Sequence, residues 1–188
     1  MSAHFESLPK RIFVDSSTLQ TLQVYGEFVY ENVEPAEDDR IHSIPQGYEE
    51  LDALRAIFFV GKRAPFELAL SRHSFEEVAE KRDQDYLRWA EEVLAYWEAC
   101  LANYEAGDAF SGAGLSLASL LDGRSFGYLS AKDRALLKDA LTLECDAFLT
   151  LDRKLAKNSG HLYRTTGLRV LLPSHLWAIL EPWARLFV

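Results

Sequence analysis

Short apolar runs alternate with helical patterns along this chain, and that alternation limits the fold more than any other feature of the sequence. The runs lie at Arg11–Val14, Phe66–Leu70, Ala147–Thr150 and Leu168–Leu172, with helical periodicity between and after them. Strands that alternate with helices form a parallel sheet covered on both faces. The sequence therefore predicts an α/β fold, specifically a three-layer α/β/α sandwich with a central parallel sheet.

The length and composition indicate one domain over residues 1–188. The chain is 48% hydrophobic and 26% charged, which suits a compact domain with a sizeable core. Two stretches depart from the alternating pattern. An acidic excursion at about 31–48 contains two prolines, and a stretch at about 105–130 holds five of the ten glycines. The glycine-rich stretch predicts a long loop with room for one short helix at Leu115–Leu121, after a long helix at about 84–104.

Several classes of protein are disfavoured by the sequence. Cys100 and Cys145 form no CxxC motif and lie in apolar surroundings, which predicts reduced thiols in a cytoplasmic protein. The N-terminus has no apolar signal segment, and no apolar run is long enough to cross a membrane. The five histidines lack the spacing of zinc ligands, and no phosphate-binding loop of the GxxxxGK[ST] type occurs.

Four carboxylates stand at the ends of predicted strands or the starts of predicted helices: Asp15, Glu77, Asp133 and Asp152. Each has an ordinary structural explanation. Asp15 and Asp152 are placed to cap helices, and Ser74–Glu77 and Ser130–Asp133 have the spacing of a capping box. A capping role therefore remains open for every one of the four.

The common position of these carboxylates favours a shared site. In an open parallel sheet, ligands bind at the carboxyl ends of the strands, where the helices begin. Carboxylates that converge repel one another, and a hard divalent cation with oxygen ligands neutralises them. Mg²⁺ or Mn²⁺ held in this way activates water and stabilises charge on a phosphodiester. The sequence thus predicts metal-dependent hydrolysis of a nucleic-acid backbone, with all four carboxylates as catalytic residues.

Four motifs in order also resemble a known family. Asp133–Leu141 and Glu144–Asp152 are similar to an acidic helix start, an alanine-containing helix, a Cys-Asp turn and a strand ending in Thr-x-Asp. Ile12–Ser17 is similar to a first strand with its aspartate and following hydroxyl, and Leu70–Val78 to a second strand with a downstream Glu-Val. Together they resemble the PIN domain, a family of metal-dependent nucleases that includes toxin–antitoxin ribonucleases and RNA-processing enzymes.

The resemblance implies a single PIN-like domain that acts as an endoribonuclease on single-stranded RNA with Mg²⁺ or Mn²⁺. A toxin of this family would have an antitoxin protein as partner. The implied metal-binding residues are Asp15, Asp133 and Asp152. The resemblance also implies Glu77 as a further carboxylate of the site, and Ser16 and Thr150 as supporting hydroxyls.

The net charge of −9 is unevenly distributed. Residues 27–122 carry 21 acidic and 8 basic side chains, whereas residues 123–169 carry 5 acidic and 9 basic side chains. The overall acidity argues against binding nucleic-acid phosphates across the whole surface. The basic segment leaves room for a local rim, and we predict that Arg134, Arg153 and Lys154 bind substrate beside Asp133 and Asp152.

Two other functions fit the same residues. A PIN-like module that binds RNA or a protein without cutting would share the motifs. A doubly wound phosphatase or receiver-type domain would share the fold, although Asp15-Ser16-Ser17 lacks the second aspartate of a DxD motif. The apolar segment Leu176–Val188 predicts a homodimer or a partner interface, with a helix packed on the sheet as the alternative.

Overall fold

The computed structural model describes residues 5–61, 63–64, 66–71, 73–74 and 112–186. Glu77, Cys100 and the predicted helix at 84–104 lie outside these ranges. The strands are β1 (Arg11–Val14), β2 (Glu67–Ala69), β3 (Ala147–Leu149) and β4 (Arg169–Leu171). They pair in parallel in the order β2-β1-β3-β4. The predicted α/β fold with a central parallel sheet is confirmed.

The helices of the described ranges are α1 (Ser16–Val24), α2 (Gly26–Glu31), α3 (Arg40–Ser43), α4 (Gly47–Gly61), α5 (Gly112–Leu120), α6 (Ala131–Thr142), α7 (Arg153–Lys157), α8 (Ser159–Thr166) and α9 (Pro173–Leu180). Short 3-10 helices occur at Phe5–Ser7, Arg124–Phe126 and Glu181–Leu186.

Helices cover both faces of the sheet. Successive strand residues point to opposite faces, and the apolar side chains on each face pack against helices. Phe13 and Phe148 pack with residues of α5, α6 and α8 on one side, here called the α6 face. Ile12 and Leu149 pack with α4 and α9 on the other side, here called the α4 face. These four strand residues are completely buried. The three-layer arrangement expected from the sequence is therefore present.

The acidic excursion is largely exposed, as predicted, but it contains a short anchored helix. Ile41 of α3 is buried against Leu22, Phe28 and Leu51. The Asp39 carboxylate caps α3 by accepting from the Ile41 N–H at 2.8 Å, and it also accepts from the Tyr25 hydroxyl at 2.7 Å. The bond from the Ile41 N–H, followed by that from Tyr25, lowers the pKa of Asp39.

The described part of the glycine-rich stretch is not one long loop. The helix predicted at Leu115–Leu121 exists, but α5 begins three residues earlier, at Gly112. Gly114 explains how α5 packs closely on α6, since a Cβ there would lie 2.5 Å from the Leu141 carbonyl oxygen. Only glycine fits so close an approach of two backbones.

The last helix packs inside the molecule. Leu176 and Leu180 of α9 are completely buried on the α4 face, which confirms the alternative of a helix packed on the sheet. Glu50 of α4 secures the start of α9: its carboxylate accepts from the N–H and the hydroxyl of Ser174, both at 2.8 Å. Among the described helices, none is long and apolar enough to cross a bilayer.

Cys145 is a free thiol, as predicted, and is only 6% exposed. Burial raises the pKa of this thiol, which keeps it protonated at neutral pH. Cys145 is therefore a structural residue of the core.

Candidate functional site

The strand order changes direction between β1 and β3. The chain runs from β1 outward to β2 and then crosses back to β3 on the other side of β1. In open α/β sheets, ligands bind at the carboxyl ends of the strands beside such a switch point. Asp15 directly follows β1, and Thr150 directly follows β3. The predicted site residues of these two strands therefore lie at the edge where open α/β sheets generally bind ligands.

Asp15 is a buried carboxylate held by two hydroxyl groups. Its side chain belongs to a residue that is 6% exposed, and Oδ2 accepts from Ser17 Oγ and from Thr150 Oγ1, each at 2.6 Å. Asp15 occupies the N-cap position of α1, but its side chain makes no capping hydrogen bond. The capping explanation is therefore wrong for Asp15. Its carboxylate is instead oriented at the edge of the sheet.

The register of the sheet brings Asp15 and Thr150 together. Phe13 pairs with Phe148, and their rings stack with centroids 5.3 Å apart on the α6 face. Two residues further on, Asp15 and Thr150 continue the same row, because side chains in a strand repeat every second residue. The Asp15 N–H donates to the Leu149 carbonyl at 3.0 Å, which extends the pairing to this point.

Ser17, rather than the predicted Ser16, is the closer supporting hydroxyl. Ser16 Oγ lies 3.4 Å from Asp15 Oδ1, whereas Ser17 Oγ lies 2.6 Å from Oδ2. Ser17 Oγ also accepts from the Leu151 N–H at 3.2 Å. Helical side chains lean toward the helix N-terminus, so a hydroxyl in the first turn of α1 reaches back over Asp15. Ser17 thus ties both strand ends together, and Thr150 has the supporting contact predicted for it.

Asp152 is connected to Asp15 through Thr150. The Asp152 N–H donates to Thr150 Oγ1 at 3.0 Å, and that hydroxyl in turn donates to Asp15. Asp152 Oδ1 caps α7 by accepting from the N–H groups of Lys154 and Leu155, at 2.7 and 3.3 Å. The capping role considered for Asp152 is confirmed. Within the described residues, Oδ2 accepts no hydrogen bond.

Asp133 lies in the first turn of α6 and forms the predicted capping box. Its N–H donates to Ser130 Oγ at 3.0 Å, and its Oδ2 accepts from Ser130 Oγ at 2.7 Å and from the Ser130 N–H at 3.3 Å. Just past the other end of α6, the Leu143 carbonyl accepts from Arg11 Nη1 at 2.7 Å at the start of β1. Helix α6 therefore ends at the amino edge of the sheet. Its first turn, with Asp133, is directed toward the carboxyl edge on the face that Asp15 shares.

The hydrogen bonds of Ser130 allow a test of the structural part of this arrangement. We expect Ser130→Ala to lower the free energy of unfolding by about 1 kcal/mol, because the N-terminal N–H groups of α6 lose their cap. Urea denaturation measures this change. Ser125→Ala is the matched control, since Ser125 is exposed in the preceding 3-10 helix. An equal loss in both variants would contradict the capping role.

The Thr150 hydroxyl links Asp15 to Asp152. The described residues contain no group of three or more His, Cys, Asp or Glu side chains placed to hold one ion. Glu77 lies outside these residues, and Asp133 is engaged by Ser130. Carboxylate and hydroxyl oxygens such as those at the strand ends are nevertheless the type of donor that Mg²⁺ prefers. This ion commonly binds one or two protein carboxylates and completes its shell with water and substrate phosphates.

The three predicted substrate-binding residues have different surroundings. Arg134 Nη2 donates to the Phe126 carbonyl at 3.2 Å, while its Nε is buried without a hydrogen bond within the structure described. An Arg153 Nη2 group donates to the Pro45 carbonyl, which ties α7 to the acidic excursion. Lys154 is exposed beside the Asp152 cap. Arg134 and Arg153 therefore have structural contacts, and substrate binding by all three stays a prediction.

Comparisons of the chain with family models, with curated proteins and with solved structures find no significant match.

Proposed function

We propose that this protein is a Mg²⁺- or Mn²⁺-dependent endoribonuclease that hydrolyses single-stranded RNA, as the resemblance to PIN domains implies. The observation that carries the proposal is the buried Asp15 carboxylate at the switch point of the sheet. Two hydroxyls 2.6 Å away orient it, and it does not cap the helix that it precedes. Burying a carboxylate is costly unless other groups engage it, and carboxylates buried at the edge of a sheet are typical of functional sites.

Each predicted site residue would have a role in this reaction. Asp15 and Asp152 would hold the cation at the ends of β1 and β3, with Asp133 approaching from α6 and Glu77 completing the acidic pocket. A divalent cation bound there supplies an activated water and offsets charge on the phosphodiester. Ser17 and Thr150 keep Asp15 in one rotamer, so that its carboxylate does not have to reorganise when substrate arrives.

Cleavage of a labelled RNA tests the proposal. A 5′-labelled single-stranded RNA is incubated with the purified protein and Mn²⁺, with and without excess EDTA, and the products are separated by length. We expect internal cleavage that requires the metal. Cleavage that persists in EDTA would contradict a metal-dependent mechanism, and a contaminating nuclease is excluded by the Asp15 variant considered in the Discussion.

A module that binds RNA or protein without cutting is the second candidate. It is favoured by the carboxylates of Asp133 and Asp152, which both serve as helix caps. For such a module we expect RNA binding without turnover, and a melting temperature that Mn²⁺ does not raise.

We expect the predicted homodimer to form through exposed apolar side chains next to α9. Phe59 of α4 is 60% exposed and Tyr30 of α2 is 53% exposed, and both line a groove that Trp177 of α9 also borders. We expect light scattering to give the mass of two chains, and Phe59→Ser to give the mass of one. Leu115→Ser is the control, since Leu115 is 64% exposed elsewhere, on α5. A monomeric wild-type protein, purified free of any antitoxin, would contradict this prediction.

A further inference from the structure

Three aromatic rings form a cluster just before α6. Phe126 and Tyr128 flank the turn that leads into this helix, and His161 lies on α8. The ring centroid of His161 is 4.8 Å from that of Phe126 and 6.1 Å from that of Tyr128. Phe126 and Tyr128 are 6.2 Å apart. These three residues are called the ring cluster below.

The ring cluster is buried at Phe126 and exposed at Tyr128. Phe126 is 1% exposed and belongs to the core of the α6 face, whereas Tyr128 is 45% exposed. The backbone around Phe126 is fixed by the bond from Arg134 Nη2 to its carbonyl and by the bond from the Leu129 N–H to the same oxygen. Tyr128 is therefore an exposed ring on a support that does not need to reorganise when something packs against it.

Two exposed arginines lie close to the ring cluster along the chain. Arg124 and Arg164 are both exposed, and Arg164 lies three residues after His161, on the same side of α8. The segment 123–169 that contains the cluster has nine basic and five acidic residues in an otherwise acidic chain. Exposed aromatic rings between basic side chains are the combination that binds unpaired bases by stacking and the adjoining phosphates by charge.

The cluster is also close to the candidate active site along the chain. Tyr128 precedes Ser130, the N-cap of α6, by two residues, and Asp133 follows within the same capping box. Phe126 of the ring cluster and helix α6 both belong to the α6 face. Asp15 and Thr150 continue the row of Phe13 and Phe148 on this face. An RNA strand at the carboxyl edge would thus pass the ring cluster next to Asp133.

We propose that Tyr128 and His161 form a stacking site for an unpaired base of single-stranded RNA, with Arg124 and Arg164 contacting the adjoining phosphates. As an account of how a substrate is positioned, this inference rests on the proposed function. As a binding site, it rests on the ring cluster and the two exposed arginines, and does not require cleavage.

Fluorescence anisotropy with a labelled 12-nucleotide RNA that has no self-complementary sequence tests the inference, in EDTA so that the RNA stays intact. We expect Tyr128→Ala to weaken binding by about 10-fold, since one stacked base accounts for a loss of this order. Tyr128→Phe keeps the ring and should retain affinity within about 2-fold. Tyr163→Ala is the matched control, because Tyr163 is 55% exposed on α8 but two residues from His161. Its affinity should equal that of the wild type.

A second RNA, with abasic nucleotides in place of the bases, separates stacking from charge. We expect the wild type and Tyr128→Ala to bind this strand equally weakly, while Arg124→Ala weakens it further. The inference is overturned if the wild type does not bind the first RNA, if Tyr128→Ala binds it as the wild type does, or if this variant loses as much affinity for the abasic strand.

The outcomes distinguish this inference from the proposed function. Metal-dependent cleavage together with unchanged binding by Tyr128→Ala would overturn the stacking site and leave the nuclease standing. Binding that depends on Tyr128, in a protein that never cleaves RNA, would overturn the nuclease and support the stacking site. Melting temperatures of the variants show whether each one is folded, which is expected for Tyr128→Ala because almost half of this residue is exposed.

Discussion

Asp15→Asn is expected to reduce Mn²⁺-dependent RNA cleavage by about 100-fold or more, since a metal site contributes several kcal/mol of transition-state stabilisation. Asparagine has nearly the same shape as aspartate but carries no charge. Asparagine also has only one acceptor oxygen, and if that oxygen keeps the bonds from Ser17 and Thr150 that Asp15 Oδ2 accepts, the NH2 group takes the place of Oδ1. The variant therefore loses the charge and an oxygen that would ligate the cation. Rates of cleavage of a labelled RNA at saturating Mn²⁺ measure the effect.

Asp38→Asn is the matched control, because Asp38 is an exposed aspartate of the acidic excursion. It removes the same charge and should leave the cleavage rate unchanged. Thermal unfolding adds a readout that does not depend on turnover. Mn²⁺ should raise the melting temperature of the wild type and of Asp38→Asn, and it should raise that of Asp15→Asn much less. Full cleavage by Asp15→Asn would show that the nuclease activity does not come from this site.

Phe148→Ala is expected to lower the free energy of unfolding by about 3 to 5 kcal/mol, the usual cost of emptying the space of a buried phenylalanine. Phe148 is completely buried in β3, and its ring stacks on Phe13 of β1 at an interplanar angle of 11°. The substitution removes this stacking as well as the contacts with α6. Such a loss is a large part of the stability of an ordinary domain, roughly 5 to 15 kcal/mol.

Urea denaturation of Phe148→Ala and of Leu115→Ala provides the comparison, since Leu115 is 64% exposed. For Leu115→Ala we expect a change within about 0.5 kcal/mol, as is usual for surface positions. Similar losses in the two variants would contradict the placement of Phe148 in the core. Because Asp15 and Thr150 continue the row of Phe13 and Phe148, the same stacked pair supports the candidate site from below.

The positions of Asp15 and Thr150 could be predicted from the sequence because they depend on two simple rules. Apolar strands that alternate with helices form a parallel sheet, and the residues that follow such strands meet at one edge. Both residues follow buried strands, and they are in contact at 2.6 Å. The capping box of Ser130 and Asp133 could also be predicted from the sequence, since it depends on residues only three positions apart.

The parts that could not be predicted depend on contacts between distant segments or on weak local signals. Glu50 accepts from Ser174, 124 residues away, and nothing near Glu50 in the sequence indicates that partner. Helix α8 contains a glycine and two threonines, which are poor helix formers, and only Leu162 and Thr166 are buried in it. The family resemblance implies Ser16 as the supporting hydroxyl, and only the geometry of the first turn of α1 shows that Ser17 is closer to Asp15.

The carboxylates at helix starts have an electrostatic consequence for the whole carboxyl edge. The N-terminal end of a helix carries a partial positive charge from its macrodipole. Asp15, Asp133 and Asp152 lie at the starts of α1, α6 and α7, and Glu50 accepts from the first turn of α9. The backbone thus offsets part of the repulsion among these groups. The first-turn N–H groups of α6, α7 and α9, of the kind that elsewhere bind phosphate directly, are engaged by side-chain oxygens, so we expect an anion at this edge to be bound by a bridging cation or by basic side chains such as Lys154.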